Sequence, residues 1–283
     1  MPADIRSSPV RRVVLVVLDG LRPDAIQRFR LQRVASLARR GASTFRAQTV
    51  SPSITPCAMA SLLTGAAPER HGIQSEHFHI PRPRGPVHPL AKELAKHSLP
   101  TSFFMPQVPF LMRGIAARIS TLLGLGEFRS YGQDADDVLE SAGTHLETQR
   151  RGLIMMHWLD ADRTGHEFGW MSPEYGAAAV RMDDALGRLE AAVDLSDPGT
   201  LVIALADHGG GGATPKHHDS AHPLDTTIPV LLAGGAVVPC ELGGAVSLTD
   251  VPATILWALG LARPESYAGR PLLQAFAKLP MAA

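Results

Sequence analysis

The sequence predicts an α/β fold in which a mostly parallel central sheet carries helices on both faces. Three stretches, residues 13–18, 153–159 and 201–206, are nearly continuous apolar runs, the pattern of strands that are buried on both faces. Helical spacing of apolar residues follows two of these runs, from Pro23 to about residue 40 and over residues 173–193. Strands that alternate with such helices are typical of a parallel sheet.

Further elements continue the alternation towards the C-terminus. Residues 101–105 and 228–232 are two more predicted strands. A helix is predicted after Asp250, which we place as its N-cap, with Pro252 in the first turn. No internal repeat is visible in the sequence.

Length and composition are those of an ordinary globular chain. It has 283 residues, of which 45% are hydrophobic, and its 27 basic residues balance its 27 acidic ones. This composition excludes a disordered chain, and the neutral net charge predicts no nucleic-acid or membrane partner. We interpret residues 1–283 as one domain. The prolines of residues 81–89 indicate a surface loop or small lid around residues 74–100.

Cysteine content and N-terminal hydrophobicity indicate the compartment. Cys57 and Cys240 are too few for a disulfide framework. The apolar run 13–18 is shorter than the roughly 7–15 residues of a signal-peptide core, although Arg11 and Arg12 precede it. We therefore expect a cytoplasmic protein. The sequence does not indicate its oligomeric state.

Acidic residues follow three of the strongest predicted strands. Asp19 ends the first run, Asp160 and Asp162 follow the second, and Asp207 follows the third. A single aspartate at such a place is often a turn former or a helix cap. In open α/β sheets, however, ligands bind outside the carboxyl ends of the strands.

Histidines accompany these acids. His208 follows Asp207 directly, and His166 lies four residues after Asp162. A third set, His217, His218 and His222, lies in one short loop. Carboxylates together with imidazoles are the ligands of Zn²⁺ and similar divalent ions. The cluster therefore predicts a metal site.

A hydroxyl residue precedes another predicted helix. Pro56 and the small residues after it begin a helix directly behind Thr55. A hydroxyl at a helix N-terminus lies in positive potential, and a nearby cation activates such a weak nucleophile. Without a cation, Thr55 would be an ordinary N-cap.

Five short motifs follow one another along the chain. They are Val-Leu-Asp-Gly at 17–20, Thr-Pro-x-x-x-x-Ser-Leu-Leu-Thr-Gly at 55–65, Pro-Glu-Arg-His-Gly-Ile at 68–73, Asp-x-x-x-His at 162–166 and Asp-His-Gly-Gly at 207–210. Taken together, these motifs resemble those of the alkaline phosphatase superfamily, and most of all its type I phosphodiesterase/nucleotide pyrophosphatase branch. They occur in the order of that family, and the segments 249–261 and 269–272 resemble its closing helix and strand.

The resemblance implies two divalent metal ions, Zn²⁺ first, with Mn²⁺ or Fe²⁺ as alternatives. Asp19, Asp207 and His208 would hold one ion, with Thr55 bridging towards it as the nucleophile. The ligands implied for the second ion are Asp162, His166 and a histidine of the 217–222 loop. We place His218 there, while His217 and His222 stay open as alternatives.

The implied activity is metal-dependent hydrolysis of small phosphoesters through a covalent phosphothreonine. We favour phosphodiesters over phosphomonoesters. The short interval between His208 and His218 leaves room for only a minimal cap. Phosphonate hydrolysis, a sulfatase-like activity and a catalytically silent relative that binds a phosphorylated ligand are the alternatives. In sulfatases a cysteine occupies the position of Thr55, whereas Cys57 lies two residues later.

Two departures from the family bear on the substrate. Pro56 has no N–H to offer a phosphoryl oxygen. Glu76 occupies the position where nucleotide pyrophosphatases carry an asparagine, and an acid that pointed inward there would repel phosphate. The residues considered as substitutes for that asparagine are Ser75, His77, His79 and Lys216.

Overall fold

The computed structural model describes residues 9–76 and 82–276. Within these residues one sheet contains eight strands in the order β4-β3-β5-β1-β6-β7-β2-β8. The strands are β1 (Arg12–Leu18), β2 (Ala42–Gln48), β3 (Thr101–Met105), β4 (Glu127–Ser130), β5 (Gly152–Trp158), β6 (Thr200–Leu205), β7 (Thr227–Ala233) and β8 (Cys240–Glu241).

Eleven α-helices accompany the sheet in the described part of the chain. They are α1 (Pro23–Arg28), α2 (Gln32–Arg40), α3 (Thr55–Thr64), α4 (Pro68–His71), α5 (Leu90–Ala95), α6 (Arg113–Leu123), α7 (Ala135–Thr148), α8 (Asp160–Phe168), α9 (Pro173–Ala192), α10 (Pro223–Thr226) and α11 (Asp250–Ala258).

The sheet is mostly parallel, which confirms the predicted fold class. Strand β1 pairs in parallel with both β5 and β6, and β3 pairs in parallel with β4 and β5. Strand β7 is the exception, since it runs antiparallel to β6 and β2. Every residue of β1 is buried, so the sheet is covered on both faces at its centre.

The helices that cover the sheet fall into two groups by their contacts. Helix α9 packs against α2, α7 and α8, while α11 packs against α3 and α5. The predicted helix over residues 173–193 is α9, and its N-cap Ser172 accepts a hydrogen bond from the backbone N–H of Tyr175.

Two local predictions were wrong. The helix expected from Pro23 to about residue 40 is broken into α1 and α2, because Arg30 adopts a left-handed conformation with φ of +55°. Asp250 is the first residue of α11, and Thr249 is the N-cap. The Asp250 carboxylate instead accepts hydrogen bonds from the backbone N–H groups of Ser247 and Arg270.

The expected loop or lid around residues 74–100 contains helix α5, which buries Leu90 and Leu94. Part of this segment, residues 77–81, lies outside the described residues. The single catalytic domain with its small lid stays a prediction. Among the helices of the described ranges, none has both the length and the hydrophobicity that crossing a membrane requires.

Candidate metal centre

Three aspartates converge because the strands that precede them are neighbours. Strand β1 lies between β5 and β6, so the carboxyl ends of these three parallel strands meet at one edge of the sheet. Asp19 follows β1, Asp162 lies in the first turn of α8 after β5, and Asp207 follows β6. All three side chains are buried.

Gly20 allows the loops after β1 and β5 to approach each other. It has φ of +69°, and a Cβ atom there would lie 3.0 Å from the Cα atom of Asp162. Its carbonyl oxygen accepts hydrogen bonds from Trp170 Nε1 at 2.9 Å and from the Tyr175 hydroxyl at 3.0 Å. The turn that presents Asp19 is therefore fixed from two sides.

The first ligand group contains Asp19, Asp207 and His208, whose ligand atoms all lie within 4.8 Å of one another. His208 Nε2 lies 3.3 Å from Asp19 Oδ1 and 3.4 Å from Asp207 Oδ2. Thr55 Oγ1 lies 3.0 Å from the same nitrogen. The structure thus brings the predicted nucleophile to the predicted first ligand set.

The second ligand group contains Asp162, His166 and His218. Asp162 Oδ1 lies 3.4 Å from His166 Nε2 and 3.6 Å from His218 Nε2, and the two nitrogens are 3.1 Å apart. His208 joins the two groups, since its ligand atom is also within 4.8 Å of those of Asp162 and His218. The rings of His208 and His218 stack with centroids 3.7 Å apart.

All three histidines have the same tautomer. In each ring Nδ1 lies at hydrogen-bond distance from a backbone carbonyl oxygen, which only accepts, so Nδ1 carries the proton. The acceptors are the carbonyl oxygens of Gly209 for His208 at 2.9 Å, Lys216 for His166 at 2.9 Å and Ser53 for His218 at 2.6 Å. Each Nε2 therefore directs a lone pair towards the carboxylates, as metal-binding histidines do.

The carboxylates complete a donor set that fits cations. Asp19 Oδ1, Asp162 Oδ1 and Asp207 Oδ2 are buried and have no hydrogen-bond partner within the described residues. Burial, with Asp207 and Asp162 nearby, raises the pKa of Asp19 well above its ordinary range. Burial opposes ionisation of Asp162 too, but the neighbouring imidazoles of His166, His208 and His218 hold its pKa below the ordinary value. Buried carboxylates of this kind need positive charge beside them.

The remaining candidate residues from the sequence lie outside the two ligand groups. His222 is the N-cap of α10 and accepts a hydrogen bond from the backbone N–H of Leu224. The ring of His217 is 6.2 Å from that of His166. Asp160 Oδ1 lies 4.0 Å from Arg181 Nε, outside both ligand groups. Of the three loop histidines, the structure brings His218 to the carboxylates.

Sequence reasoning missed His157, a buried residue near the end of β5. Its Nε2 donates to Asp19 Oδ2 at 2.7 Å, which orients that carboxylate and leaves Oδ1 facing His208. The signal was a polar residue inside an otherwise apolar buried run, paired in register with Val17, two residues before Asp19.

The residues next to Thr55 distinguish it from the nearby thiol. Thr55 is the first residue of α3, and Pro56 is the second. Cys57 is fully buried, and this burial raises the pKa of its thiol to about 12. The hydroxyl faces the ligand group, whereas the thiol is held in its unreactive protonated form.

Glu76, which occupies the position of the asparagine discussed above, lies close to the second ligand group. Glu76 Oε1 lies 3.9 Å from His218 Nε2. Lys216, one of the residues predicted to take the place of that asparagine, donates from Nζ to the carbonyl oxygen of Glu167 at 2.6 Å. His77 and His79 lie outside the described residues.

Comparison with known proteins identifies the family. The sequence model of the type I phosphodiesterase / nucleotide pyrophosphatase family matches residues 13–86 and 115–239. The chain belongs to this family. The family's matched segments include both ligand groups and Thr55.

Among curated proteins, the chain is 29% identical over 142 residues to the 2,3-bisphosphoglycerate-independent phosphoglycerate mutase of Listeria welshimeri. It is 35% identical over 124 residues to the phosphopentomutase of Methylobacterium sp.. These matches cover 50% and 43% of this chain, but only 26% and 27% of those proteins. The chain thus spans about a quarter of the length of the curated relatives it matches.

Solved structures share the fold at low sequence identity. Murine ectonucleotide pyrophosphatase / phosphodiesterase 5 matches with a TM-score of 0.71 and 14% identity, over 94% of this chain and all of that one. The lipoteichoic acid synthase LtaP of Listeria monocytogenes matches with a TM-score of 0.69 and 14% identity, over 94% of this chain and 76% of that one. These likenesses support the alkaline phosphatase-like fold.

Proposed function

We propose that this protein is a two-metal phosphoester hydrolase that uses Thr55 as its nucleophile. One observation carries the proposal, the 3.0 Å distance from Thr55 Oγ1 to His208 Nε2, which places the hydroxyl against the first ligand group. Membership of the phosphodiesterase family supports the class of reaction. The names of the mutase relatives also point to phosphorylated substrates.

Asp19, Asp207 and His208 would hold one cation, and Asp162, His166 and His218 the other. When bound, a pair of divalent cations stabilises negative charge on the attacking and leaving oxygens of an in-line displacement. Zn²⁺ fits three imidazoles and three carboxylates, and Mn²⁺ and Fe²⁺ are the alternatives.

In the first step Thr55 Oγ1 attacks phosphorus and loses its proton to solvent, while the bond to the leaving oxygen breaks and that oxygen takes up a proton from solvent where it is basic enough. The product on the chain is a phosphothreonine, which still carries the second ester group when the substrate is a diester. In the second step water attacks the same phosphorus, the bond to Oγ1 breaks, and Thr55 regains its proton. The N-terminal turn of α3 supports both steps, since its partial positive charge favours negative charge on Oγ1. Two inversions in succession give net retention at phosphorus.

Among the alternatives, a sulfatase-like reaction through Cys57 is disfavoured by the burial of that thiol. A catalytically silent relative is disfavoured by the closeness of the hydroxyl to the ligand group. Phosphonate hydrolysis would use the same Thr55 chemistry, so a phosphonate monoester belongs in the substrate panel.

The test is turnover of bis-p-nitrophenyl phosphate and p-nitrophenyl phosphate by the chain loaded with Zn²⁺ or Mn²⁺. We expect diester turnover that Thr55→Ala lowers at least a thousandfold, because a covalent pathway without its nucleophile is lost. Metal content by elemental analysis stays near normal in that variant. Acid quenching followed by peptide mass spectrometry is expected to find a p-nitrophenyl phosphoryl group on Thr55 with the diester and a phosphoryl group with the monoester.

Thr55→Ser is the matched control, since it keeps the hydroxyl and removes only a methyl group. We expect it to retain measurable turnover. Full activity in Thr55→Ala would refute the nucleophile, and metal-loaded protein that turns over neither ester nor a phosphonate would favour the silent relative.

A further inference from the structure

Glu76 stands on the solvent side of the ligand cluster. Its Oε1 lies 3.9 Å from His218 Nε2, yet its side chain is 57% exposed, whereas that of His218 is 2% exposed. It belongs to neither compact ligand group. The contrast in exposure separates it from Asp19, Asp162 and Asp207, which are buried beneath it.

This position puts a negative charge near the proposed nucleophile. A series of contacts connects Thr55 with Glu76: His208 Nε2 lies 3.0 Å from Thr55 Oγ1, the rings of His208 and His218 are stacked, and His218 Nε2 lies 3.9 Å from Glu76 Oε1. A phosphoryl group at Thr55 therefore lies within electrostatic range of this carboxylate. Lys216, the cation that precedes His217 in the histidine loop, donates a hydrogen bond to the carbonyl oxygen of Glu167.

We infer that Glu76 selects substrates by charge, against doubly negative phosphomonoesters and for phosphodiesters, especially those whose second ester arm carries a positive charge. This inference rests on the proposed function, because it concerns the substrate of the same site. An exposed carboxylate keeps its charge without a partner, since water solvates it, and acts on a substrate through space.

Coulomb's law gives the expected size of the effect. At a separation of about 7 Å and an effective dielectric constant of about 40, one carboxylate changes binding by a factor of about seven for each unit of substrate charge. A doubly negative monoester is penalised about sevenfold more than a singly negative diester. An ammonium group on the second arm removes that penalty or reverses it.

The experiment uses three substrates with the same leaving group, p-nitrophenolate. They are p-nitrophenyl phosphate, methyl p-nitrophenyl phosphate and p-nitrophenylphosphorylcholine, which are doubly negative, singly negative and zwitterionic. In Glu76→Gln we expect kcat/KM for the monoester to rise about sevenfold relative to the methyl diester, and kcat/KM for the choline ester to fall about sevenfold relative to it.

Glu147→Gln is the matched control, because Glu147 is an exposed glutamate of α7, and its substitution makes the same change in net charge. We expect the three kcat/KM values to keep their wild-type ratios in this variant. Unchanged ratios in Glu76→Gln, or equal shifts in both variants, would overturn the inference while leaving the proposed hydrolase standing.

A binding measurement decides the point without turnover. Inorganic phosphate and dimethyl phosphate are titrated calorimetrically into metal-loaded Thr55→Ala and into the double variant Thr55→Ala with Glu76→Gln. We expect the double variant to bind inorganic phosphate about sevenfold more tightly relative to dimethyl phosphate. Equal affinity ratios would refute charge selection by Glu76, whether or not the wild-type chain proves to be a hydrolase.

Discussion

Replacing Asp19 with asparagine is expected to stabilise the metal-free protein and to abolish its stabilisation by metal. Asp19 is fully buried, and burial together with Asp207 and Asp162 raises its pKa well above the ordinary range. A neutral asparagine has the same shape without that charge. Its oxygen can accept from His157, and its NH₂ group can donate to Asp207 Oδ2, which has no hydrogen-bond partner in the described part of the chain.

The size of the effect follows from proton linkage. An acid with a raised pKa holds its proton in the folded state at a pH where the unfolded chain, with a pKa near 3.9, has released it. Folding therefore takes up a proton, and the free-energy cost grows as the pH rises above about 3.9 until it reaches the folded pKa. The upper limit of this cost is about 4 kcal/mol at pH 7 and about 1.5 kcal/mol at pH 5.

Urea unfolding in the presence of a chelator measures this free-energy difference at pH 7 and at pH 5. We expect Asp19→Asn to have a larger free energy of unfolding than the wild type at pH 7, by no more than about 4 kcal/mol, and a smaller gain at pH 5. Added Zn²⁺ or Mn²⁺ is expected to raise the stability of the wild type only, because the variant has lost a charged ligand.

Asp160→Asn is the matched control. Burial, with Asp134 nearby, raises the pKa of Asp160 to about 6, but this carboxylate lies outside both ligand groups. The control therefore also gains stability at pH 7 and keeps its response to metal. The reasoning fails if metal-free Asp19→Asn is less stable than the wild type at pH 7, or if metal stabilises it as much.

Two further predictions concern buried histidines. His71 donates a hydrogen bond from Nε2 to Ser61 Oγ and accepts one from the backbone N–H of Ile73. Burial lowers the pKa of His71 to about 4. The stability of the wild type therefore falls as the pH drops from about 6.5 towards 4, because only the unfolded chain takes up this proton. Between pH 7.5 and pH 5, the free energy of unfolding in urea is expected to fall by about 2 kcal/mol less in His71→Gln than in the wild type. Equal decreases in the two proteins would contradict this. His157→Phe keeps an aromatic ring but loses the hydrogen bond to Asp19. Its metal affinity, measured in competition with a chromogenic chelator, is therefore expected to fall about tenfold or more. His157→Gln keeps a hydrogen-bond donor and is expected to retain more of the affinity. Wild-type affinity in His157→Phe would show that this bond does not position the ligand.

The central strands were predictable from the sequence because they are buried on both faces. The apolar runs of β1, β5 and β6 leave no polar residue to obscure the signal, apart from His157. Strand β2 was missed because its sequence mixes Phe45 and Arg46 with small residues, and both of these side chains are exposed. Strand β4 has only four residues and lies at the sheet edge.

The site was predictable as a set of residue types but not as a geometry. Aspartates at the ends of neighbouring parallel strands must converge, so Asp19 and Asp207 followed from topology alone. The selection among His217, His218 and His222 depends on how a loop folds onto Ser53, far away in the sequence. The direction of the Glu76 side chain is likewise a tertiary property, and spacing carries no information about it.

Exposure determines what each acid of this site can do. A carboxylate with no exposed surface, such as Asp19 or Asp207, cannot be compensated by water, so it destabilises the chain until a cation binds, and that unfavourable energy makes the site selective for metal. A carboxylate that is more than half exposed, such as Glu76, is hydrated and needs no cation. In the proposed role, its charge acts on the substrate that enters. In the proposed roles, a buried carboxylate serves as a metal ligand and an exposed one as a charge filter, and the depth of burial separates the two.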